Sequence, residues 1–443
     1  MIDLNHINGQ PKPFQTNGIE FLNGCNGRAF LADDPGLGKT FQLLGYTSMY
    51  NFRNLIVCPS YLKYNWENEI EKFTSKSVFV IESNKPIPDL KGFDYVIVNY
   101  DIIHKPNILN NLINANFDVI TCDESQYIKN LDSKRTKAIF KVSENIPRRI
   151  CLSGTPIKSK PEEFYPQLNF LHPEIEDFND FKLFKIKYCN SAKVTLKDPT
   201  VNDNNCLLEL HQKIKPFYLR RTKDQVLKEL PSKNCIPVPI KLENRSWYDS
   251  LMKKKKKYGE VLKMITESKM KLSIEKLKQV IEHIDNLNKS GQKVIVFSQY
   301  THTIKYLQNH YKDSCVIHRG EMSAQEKQNS IDKFQNNHNV NKLIANTFTA
   351  VGYNATTANN VVYVDLPWTT ADIIQSSDRV HRIGQDKQVN VYFFYYKDTI
   401  EEQIFNLLNS KQQIFDQVVD GKFSKEQELS IRKEIFDNLK IAS

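Results

Sequence analysis

A chain of 443 residues, 40% hydrophobic and 25% charged, is too long for one ordinary domain and too rich in apolar side chains to be disordered. No apolar run approaches the length of a membrane span. A net charge of +10 points toward a polyanionic partner.

Residues 1–28 carry Pro13-Phe14-Gln15, then Gly18, Ile19, Phe21 and Leu22 at helical spacing. An apolar run, Ala29 to Ala32, leads into A-D-D-P-G-L-G-K-T at Ala32–Thr40, and Phe41, Leu43, Leu44 and Tyr46 follow with helical period. Strand, glycine loop and helix in that order let backbone N–H groups and a helix N-terminus cradle phosphate. Lys39 would reach the β- and γ-phosphates and Thr40 would hold Mg²⁺. The first Gly of G-x-x-x-x-G-K-T is missing, because Asp33 stands there, and Pro35 removes one loop N–H. Downstream, strands are expected at Leu55–Cys58, Val78–Ile81, Tyr95–Val98, Val119–Cys122 and Arg149–Leu152, with helices at Tyr61–Phe73 and Ile108–Ala115. Short apolar strands alternating with helices predict a parallel sheet covered on both faces. Between about Pro161 and Ile236 the pattern breaks into short helices and loops, and Trp247–Ile284 reads as a basic helical stretch holding five lysines, Lys253–Lys257. Such a run is usually a solvated face, with contact to a DNA backbone the other reading. Alternation then resumes with Val294–Phe297, Ile304–Tyr311, Val316-Ile317, Ala324–Phe334, Leu343–Ala345, Val361–Val364, Ile373–Val380 and Val391–Tyr396, before helices at Ile400–Val419 and Leu429–Leu439. The eight cysteines form no C-x-x-C pair, and Cys58, Cys122 and Cys151 sit within apolar strand-like runs. Reduced core thiols and the lack of a secretory leader lead one to expect an intracellular protein.

Asp123-Glu124-Ser125-Gln126 follows a strand. Adjacent carboxylates there, downstream of a phosphate loop, suit Asp123 to Mg²⁺ held through water and Glu124 to orienting or deprotonating an attacking water. Ser153-Gly154-Thr155-Pro156 follows the next strand, and its two hydroxyls could sense what occupies the site. In the second half, Gln375-x-x-Asp378-Arg379-x-x-Arg382-Ile383-Gly384-Gln385 places Arg379 and Arg382 three apart on a predicted helix, on one face, as a clamp for phosphate charge would need.

D-x-x-G-x-G-K-T, D-E-x-Q and S-G-T-P resemble motifs I, II and III of superfamily-two helicases. The text around them is narrower: Pro59-Ser60 with Trp66 and Glu69, Tyr127-Ile128-Lys129-Asn130, and Leu219-Arg220-Arg221-Thr222-Lys223 before Leu230-Pro231 resemble the Swi/Snf-type ATPases, which are DNA translocases. Val294–Tyr300, His318-Arg319-Gly320, Thr349–Thr356 and the Gln375–Gln385 string resemble that family's motifs IV to VI, and Asp398-Thr399-Ile400-Glu401-Glu402 its closing helix. The resemblance implies an α/β fold of two RecA-like parallel-sheet lobes in tandem with helical insertions. Lobe 1 is expected over 1–242 with an insertion at about 157–230. Lobe 2 is expected over 243–443, with an insertion at about 243–285 and C-terminal helices at about 399–439. It implies ATP contacts at Gln15 (near adenine), Asp34, Gly36, Gly38, Lys39, Thr40, Gly352 and Gln375, and coupling through Gln126, Ser153 and Thr155. It implies nucleic-acid contacts at Ser60, Lys63, Asn99, Tyr100, Ser298, Gln299, Arg319, Thr347 and Thr349. Lys39, Glu124, Arg379 and Arg382 would carry catalysis.

The implied activity is DNA-stimulated ATP hydrolysis, with ATP and Mg²⁺ as cofactors, driving translocation on double-stranded DNA by a monomer that meets DNA-bound proteins and no membrane. A strand-separating DNA or RNA helicase and a non-catalytic, ATP-switched DNA-binding scaffold are the alternatives. Departures from the family mark a divergent member: Gln126 where His is usual, Lys158-Ser159-Lys160 after motif III, Val351 in motif V, and Asp365-Leu366-Pro367-Trp368-Thr369-Thr370 where Trp-Asn-Pro is common.

Overall fold

A computed structural model of the chain describes residues 5–157, 161–189, 203–252, 258–347, 355–368, 370–406 and 408. Outside that set lie the Lys253–Lys257 run, the Lys158-Ser159-Lys160 turn, Thr349, Val351 and Gly352 of the motif V segment, Thr369, the part of the Ile400–Val419 helix beyond residue 408, and the helix at Leu429–Leu439. The chain divides between Lys228 and Glu229 into two α/β units.

The first unit is built on seven parallel strands: β1 (Arg28–Leu31), β2 (Asn54–Cys58), β3 (Val78–Val80), β4 (Tyr95–Asn99), β5 (Val119–Asp123), β6 (Arg148–Leu152) and β7 (Tyr218–Leu219). Their order is β3-β4-β2-β5-β6-β1-β7. Parallel neighbours need crossovers, and helices supply them: α1 (Pro13–Gly24) precedes β1, then α2 (Lys39–Met49), α3 (Lys63–Phe73), α4 (Pro106–Asn114) and α5 (Lys134–Ser143) follow in turn. Every residue of β2 and β4 is buried, which is why those strands read as unbroken apolar text. Helix α5 escapes the sequence reading, because its lysines hide the narrow stripe of Ala138, Ile139 and Val142 that it buries. Ser133 caps it by accepting from Thr136 N at 3.3 Å. After β6 come the expected short helices, Tyr165–Leu171, Glu176–Asn179 and Phe181–Phe184, in which Tyr165 and Phe178 pack on Phe184 and Phe184 packs on Tyr188.

The second unit holds six parallel strands: β8 (Lys233–Ile240), β9 (Val294–Ser298), β10 (Cys315–His318), β11 (Lys342–Asn346), β12 (Asn360–Tyr363) and β13 (Val389–Tyr396), in the order β10-β11-β9-β12-β13-β8. Val294 and Val296 face one core with Ile304, Leu307 and Val362, while Ile295 and Phe297 face the other with Leu343, Val361 and Val391. A sheet buried on both faces is the expected α/β layer arrangement. Helices Ser246–Met252, Tyr258–Glu275 and Leu277–Lys289 form the basic stretch ahead of β9.

Strand β8 corrects the sequence reading: it begins inside the region expected to hold short helices and loops. Pro237 and Pro239 disguise it. The carbonyls of Ser232 and Ile240 accept from Val389 N and Lys397 N on the β13 side, so the even residues face the ladder and the two prolines face outward. Proline on the outer edge loses no ladder hydrogen bond and blocks further strand addition.

Among the described residues, no helix is long and apolar enough to cross a membrane. One fully buried ion pair ties the second unit together. Lys276, between two helices, donates to both carboxylate oxygens of Glu401 at 2.6 and 2.7 Å and to Phe394 O at 3.2 Å, and neither charged side chain is exposed. Removing one partner strands the other charge in the core. Lys276→Ala is therefore expected to lower unfolding stability by about 3–5 kcal/mol in urea titration, and Lys276→Met with Glu401→Met by much less.

Candidate active site

Parallel register sets three strand ends side by side. Leu31 of β1 pairs with Leu152 of β6, and Leu152 pairs with Asp123 of β5. The glycine loop after β1, the S-G-T-P turn after β6 and the acidic pair ending β5 therefore emerge next to one another at the carboxyl edge, where open α/β sheets bind ligands. Gly154 touches the loop directly: a Cβ there would stand 2.7 and 2.8 Å from Cδ and Cγ of Pro35.

The glycine loop bends through Gly36 (φ +91°) and Gly38 (φ +75°), left-handed conformations that suit glycine, and α2 begins at Lys39. Lys39 Nζ donates to Asp33 O at 2.6 Å and to Asp34 O at 3.3 Å. Burial lowers its pKa, against the opposing pull of the Asp33, Glu124, Asp123 and Asp34 carboxylates. Gln15 reaches the loop from α1: its Oε1 accepts from Lys12 N at 2.9 Å and its Nε2 donates to Leu37 O at 3.4 Å. The backbone at Asp33, where a first glycine is missing, is held by a side-chain network. Asp33 is fully buried; Arg221 Nε donates to its Oδ1 at 2.9 Å and Gln42 Nε2 to its Oδ2 at 3.2 Å. The Asp34 carboxylate turns to Lys223 N at 3.1 Å and Arg220 Nη2 at 3.3 Å.

The acidic pair is strained and braced. Glu124 adopts φ +51°, a left-handed conformation costing a non-glycine residue about 1–2 kcal/mol. Asp123 accepts from Trp66 Nε1 at 2.8 Å and from Glu124 N at 2.9 Å, while its backbone carbonyl takes the Tyr100 hydroxyl at 2.8 Å. Burial, then the neighbouring Glu124 charge, raises the Asp123 pKa to about 7; the Trp66 bond and the Lys39 charge pull the other way. Gln126 Nε2 donates to Glu124 at 2.6 Å, Ser153 Oγ donates to Gln126 Oε1 at 2.7 Å, and Thr155 N donates to Ser153 Oγ at 3.0 Å. A continuous hydrogen-bonded chain thus runs from Glu124 to the S-G-T-P turn. Ser125 is anchored through Gln167 Oε1 at 2.7 Å, and Gln167 donates in turn to Pro156 O at 2.8 Å.

Trp66, Gln42, Gln167 and Asp33 are site residues that the sequence reading did not assign. Only the missing first glycine flagged Asp33. Several assigned nucleic-acid contacts are buried. Lys63 is buried, donates to Ile81 O at 3.3 Å, and has its pKa lowered by burial. Tyr100 is fully buried, stacked on Tyr127 and bonded beneath Asp123. Asn99 and Thr347 are buried, and Ser298 is committed to Asp365 at 2.5 Å. Ser60 is exposed, and Gln299 and Arg319 are half-buried.

In the second unit, Arg379 and Arg382 do not share a helix. The helix Thr370–Ser377 ends before them, and both stand in the turns that follow. Gln385 pins those turns by donating to Thr356 O at 3.1 Å, Ala358 O at 2.8 Å and Val380 O at 3.2 Å. Each arginine Nε still bonds a carbonyl four residues back, Arg379 to Gln375 O at 3.0 Å and Arg382 to Asp378 O at 2.9 Å. Asp378 is buried and pairs with Lys233 of β8 at 3.0 Å, so β8 braces this segment too.

Residues 14–294 match the SNF2-related domain, and residues 274–384 match the helicase conserved C-terminal domain. The chain belongs to the SNF2-related family. It is 29% identical to the human DNA annealing helicase and endonuclease ZRANB3, over 97% of this chain and 42% of that protein. It is 30% identical to an uncharacterized ATP-dependent helicase of Mycoplasma pneumoniae, over 90% of this chain and 41% of that protein. It also resembles the solved SWI2/SNF2 ATPase core of Sulfolobus solfataricus in complex with dsDNA, at 26% identity and a TM-score of 0.49 over 95% of both chains. The chain spans under half the length of the curated relatives named here. Within this SNF2-related unit the close approach of Gly154 to Pro35 is a sharp constraint. Gly154→Ala overpacks the loop by a methyl group and is expected to weaken binding of a fluorescent ATP analogue about tenfold, with the protein still folded by circular dichroism.

Proposed function

We propose that the chain hydrolyses ATP under stimulation by double-stranded DNA and uses the cycle to translocate along it, remodelling DNA or protein–DNA structures. The observation that carries this is the grouping at the carboxyl edge of the first sheet: the phosphate-loop lysine, the adjacent carboxylates, and a hydrogen-bonded chain from Glu124 to Ser153 and Thr155. Lys39, once drawn from its loop carbonyls, binds the β- and γ-phosphate oxygens, and the amides at the start of α2 face the same charge. The residues fit a divalent ion: two carboxylates crowded at one strand end, where burial and the Glu124 charge raise the Asp123 pKa, and the Thr40 hydroxyl on the adjoining loop. Thr40 and Asp123 would hold Mg²⁺, which would supply charge neutralisation on the phosphates. Glu124 orients and deprotonates the attacking water. Its side chain is already directed by Gln126, so a change in phosphate occupancy moves the Ser153–Thr155 turn through one chain of bonds.

Arg379 and Arg382 are assigned the transition-state charge, with Gln375 and Gly352 as further nucleotide contacts. Duplex DNA as partner is supported by the family and by relatives named for DNA annealing and ATP-dependent helicase action. Ser60, Gln299 and Arg319, which keep solvent access, are the strongest of the assigned backbone contacts.

Lys39→Ala and Glu124→Gln are expected to abolish turnover in a phosphate-release assay, and duplex DNA to accelerate the wild type in a strongly salt-dependent way. Turnover unchanged by either substitution, or by DNA, would overturn the reading. Triplex displacement without displacement of a paired strand separates translocation from strand-separating helicase action. Gln126→Ala is expected to lower basal turnover and to lose most of the DNA stimulation besides, read as the ratio of rates with and without duplex.

A further inference from the structure

The phosphate loop of this chain is acidic where its ligand is acidic. Asp33 and Asp34 stand within the A-D-D-P-G-L-G-K-T segment, and both carboxylates sit close enough to Lys39 to oppose the lowering of its pKa. Left alone, two anions at the mouth of an anion site repel the polyphosphate and compete for the lysine. The structure sets one guanidinium against each. Arg221 addresses Asp33 with a side-chain fork, Nε to Oδ1 at 2.9 Å and Nη2 to Oδ2 at 2.5 Å, and with its backbone N at 3.1 Å. The same Nη2 donates to Gln42 Oε1 of α2 at 2.8 Å, and Nη1 donates to Phe14 O beside Gln15. Arg220 pairs with Asp34 at 3.3 Å while its Nη1 donates to Ala32 O at 3.0 Å and Gly154 O at 3.2 Å. Strand β7, only Tyr218–Leu219, delivers both arginines, because it pairs in register beside β1 and ends where the loop begins.

We propose that Arg221 and Arg220 are positioning residues for nucleotide binding: they neutralise the two loop carboxylates, so that Lys39 and the loop amides present net positive charge to the phosphates. Arg220, bonded to both the loop and Gly154, also carries the loop's position to the S-G-T-P turn. This rests on the ATP reading above and deepens it.

The pairing makes opposite predictions for its two halves. A fluorescent ATP analogue with Mg²⁺ is titrated into wild type, Asp33→Asn, Arg221→Gln, Arg221→Lys and the Asp33→Asn/Arg221→Gln double variant, with thermal melts on each. Arg221→Gln exposes the carboxylate and is expected to raise Kd about tenfold or more. Asp33→Asn removes the repulsion and is expected to bind at least as tightly as wild type. The double variant is expected to return to within about threefold of wild type. Arg221→Lys keeps the charge without the fork and is expected to stay closer to wild type than Arg221→Gln. It serves as the working variant if Arg221→Gln does not fold. A merely structural pair predicts the reverse pattern: Asp33→Asn weakens binding as much as Arg221→Gln, and the lysine variant fares no better than glutamine. That pattern, or an Arg221→Gln variant that binds like wild type, overturns the proposal while leaving the ATP reading intact. No binding by wild type removes both.

Discussion

Parallel pairing of β5, β6 and β1 is the constraint on which the candidate site depends. In a parallel sheet every strand ends at the same edge, and register decides which ends are level. Here Asp123, Leu152 and Leu31 are level, so three segments separated by many residues open onto one place. No side chain needs to reach far: the acidic pair, the S-G-T-P turn and the glycine loop are neighbours because their strands are.

Assembling so much charge at one edge brings its own difficulty, and the first unit answers it with buried partners. Asp33 is fully buried yet carries a guanidinium fork and an amide donor; Asp123 is braced by the Trp66 indole and the amide of Glu124. Glu124 is held in a left-handed conformation whose cost the surrounding hydrogen bonds offset. The second unit uses the same device: Lys276 with Glu401, Lys233 with Asp378, and Asp365 with the Ser298 hydroxyl and the Gln299 amide. Buried charge of this kind contributes less to net stability than to fixing one arrangement among several near neighbours, since a misplaced partner leaves a bare ion in the core.

Elements that package chemistry by local pattern were legible. The strand–loop–helix at Ala29–Tyr46, the acidic pair after β5 and the S-G-T-P turn after β6 could be read because each needs particular residues at fixed spacing. Elements set by distant partners were not. Strand β8 hides behind two prolines that only an outer edge tolerates, and β7 is two residues long and exists only because β1 lies beside it. Arg379 and Arg382 have helical spacing but lie past the helix end, where Gln385 holds the turn through carbonyls at Thr356 and Ala358. Tyr100 and Ser298 stand at strand ends and Lys63 at the start of α3, as polar ligand contacts do, yet they turn inward to bond carbonyls and a carboxylate.

The amino-acid sequence by itself determined the alternation of strand and helix, the division into two parallel-sheet units, and the residue types able to hold a triphosphate. Those follow from periodicity and from chemistry confined to a few consecutive positions. Only the tertiary structure decided which carboxylates are tied to arginines and which are not. Asp33 and Asp123 look alike in the text. One meets Arg221 across β1 and β7, the other meets Trp66 and Glu124, and the difference lies in partners that the chain brings together only when the sheet closes around them.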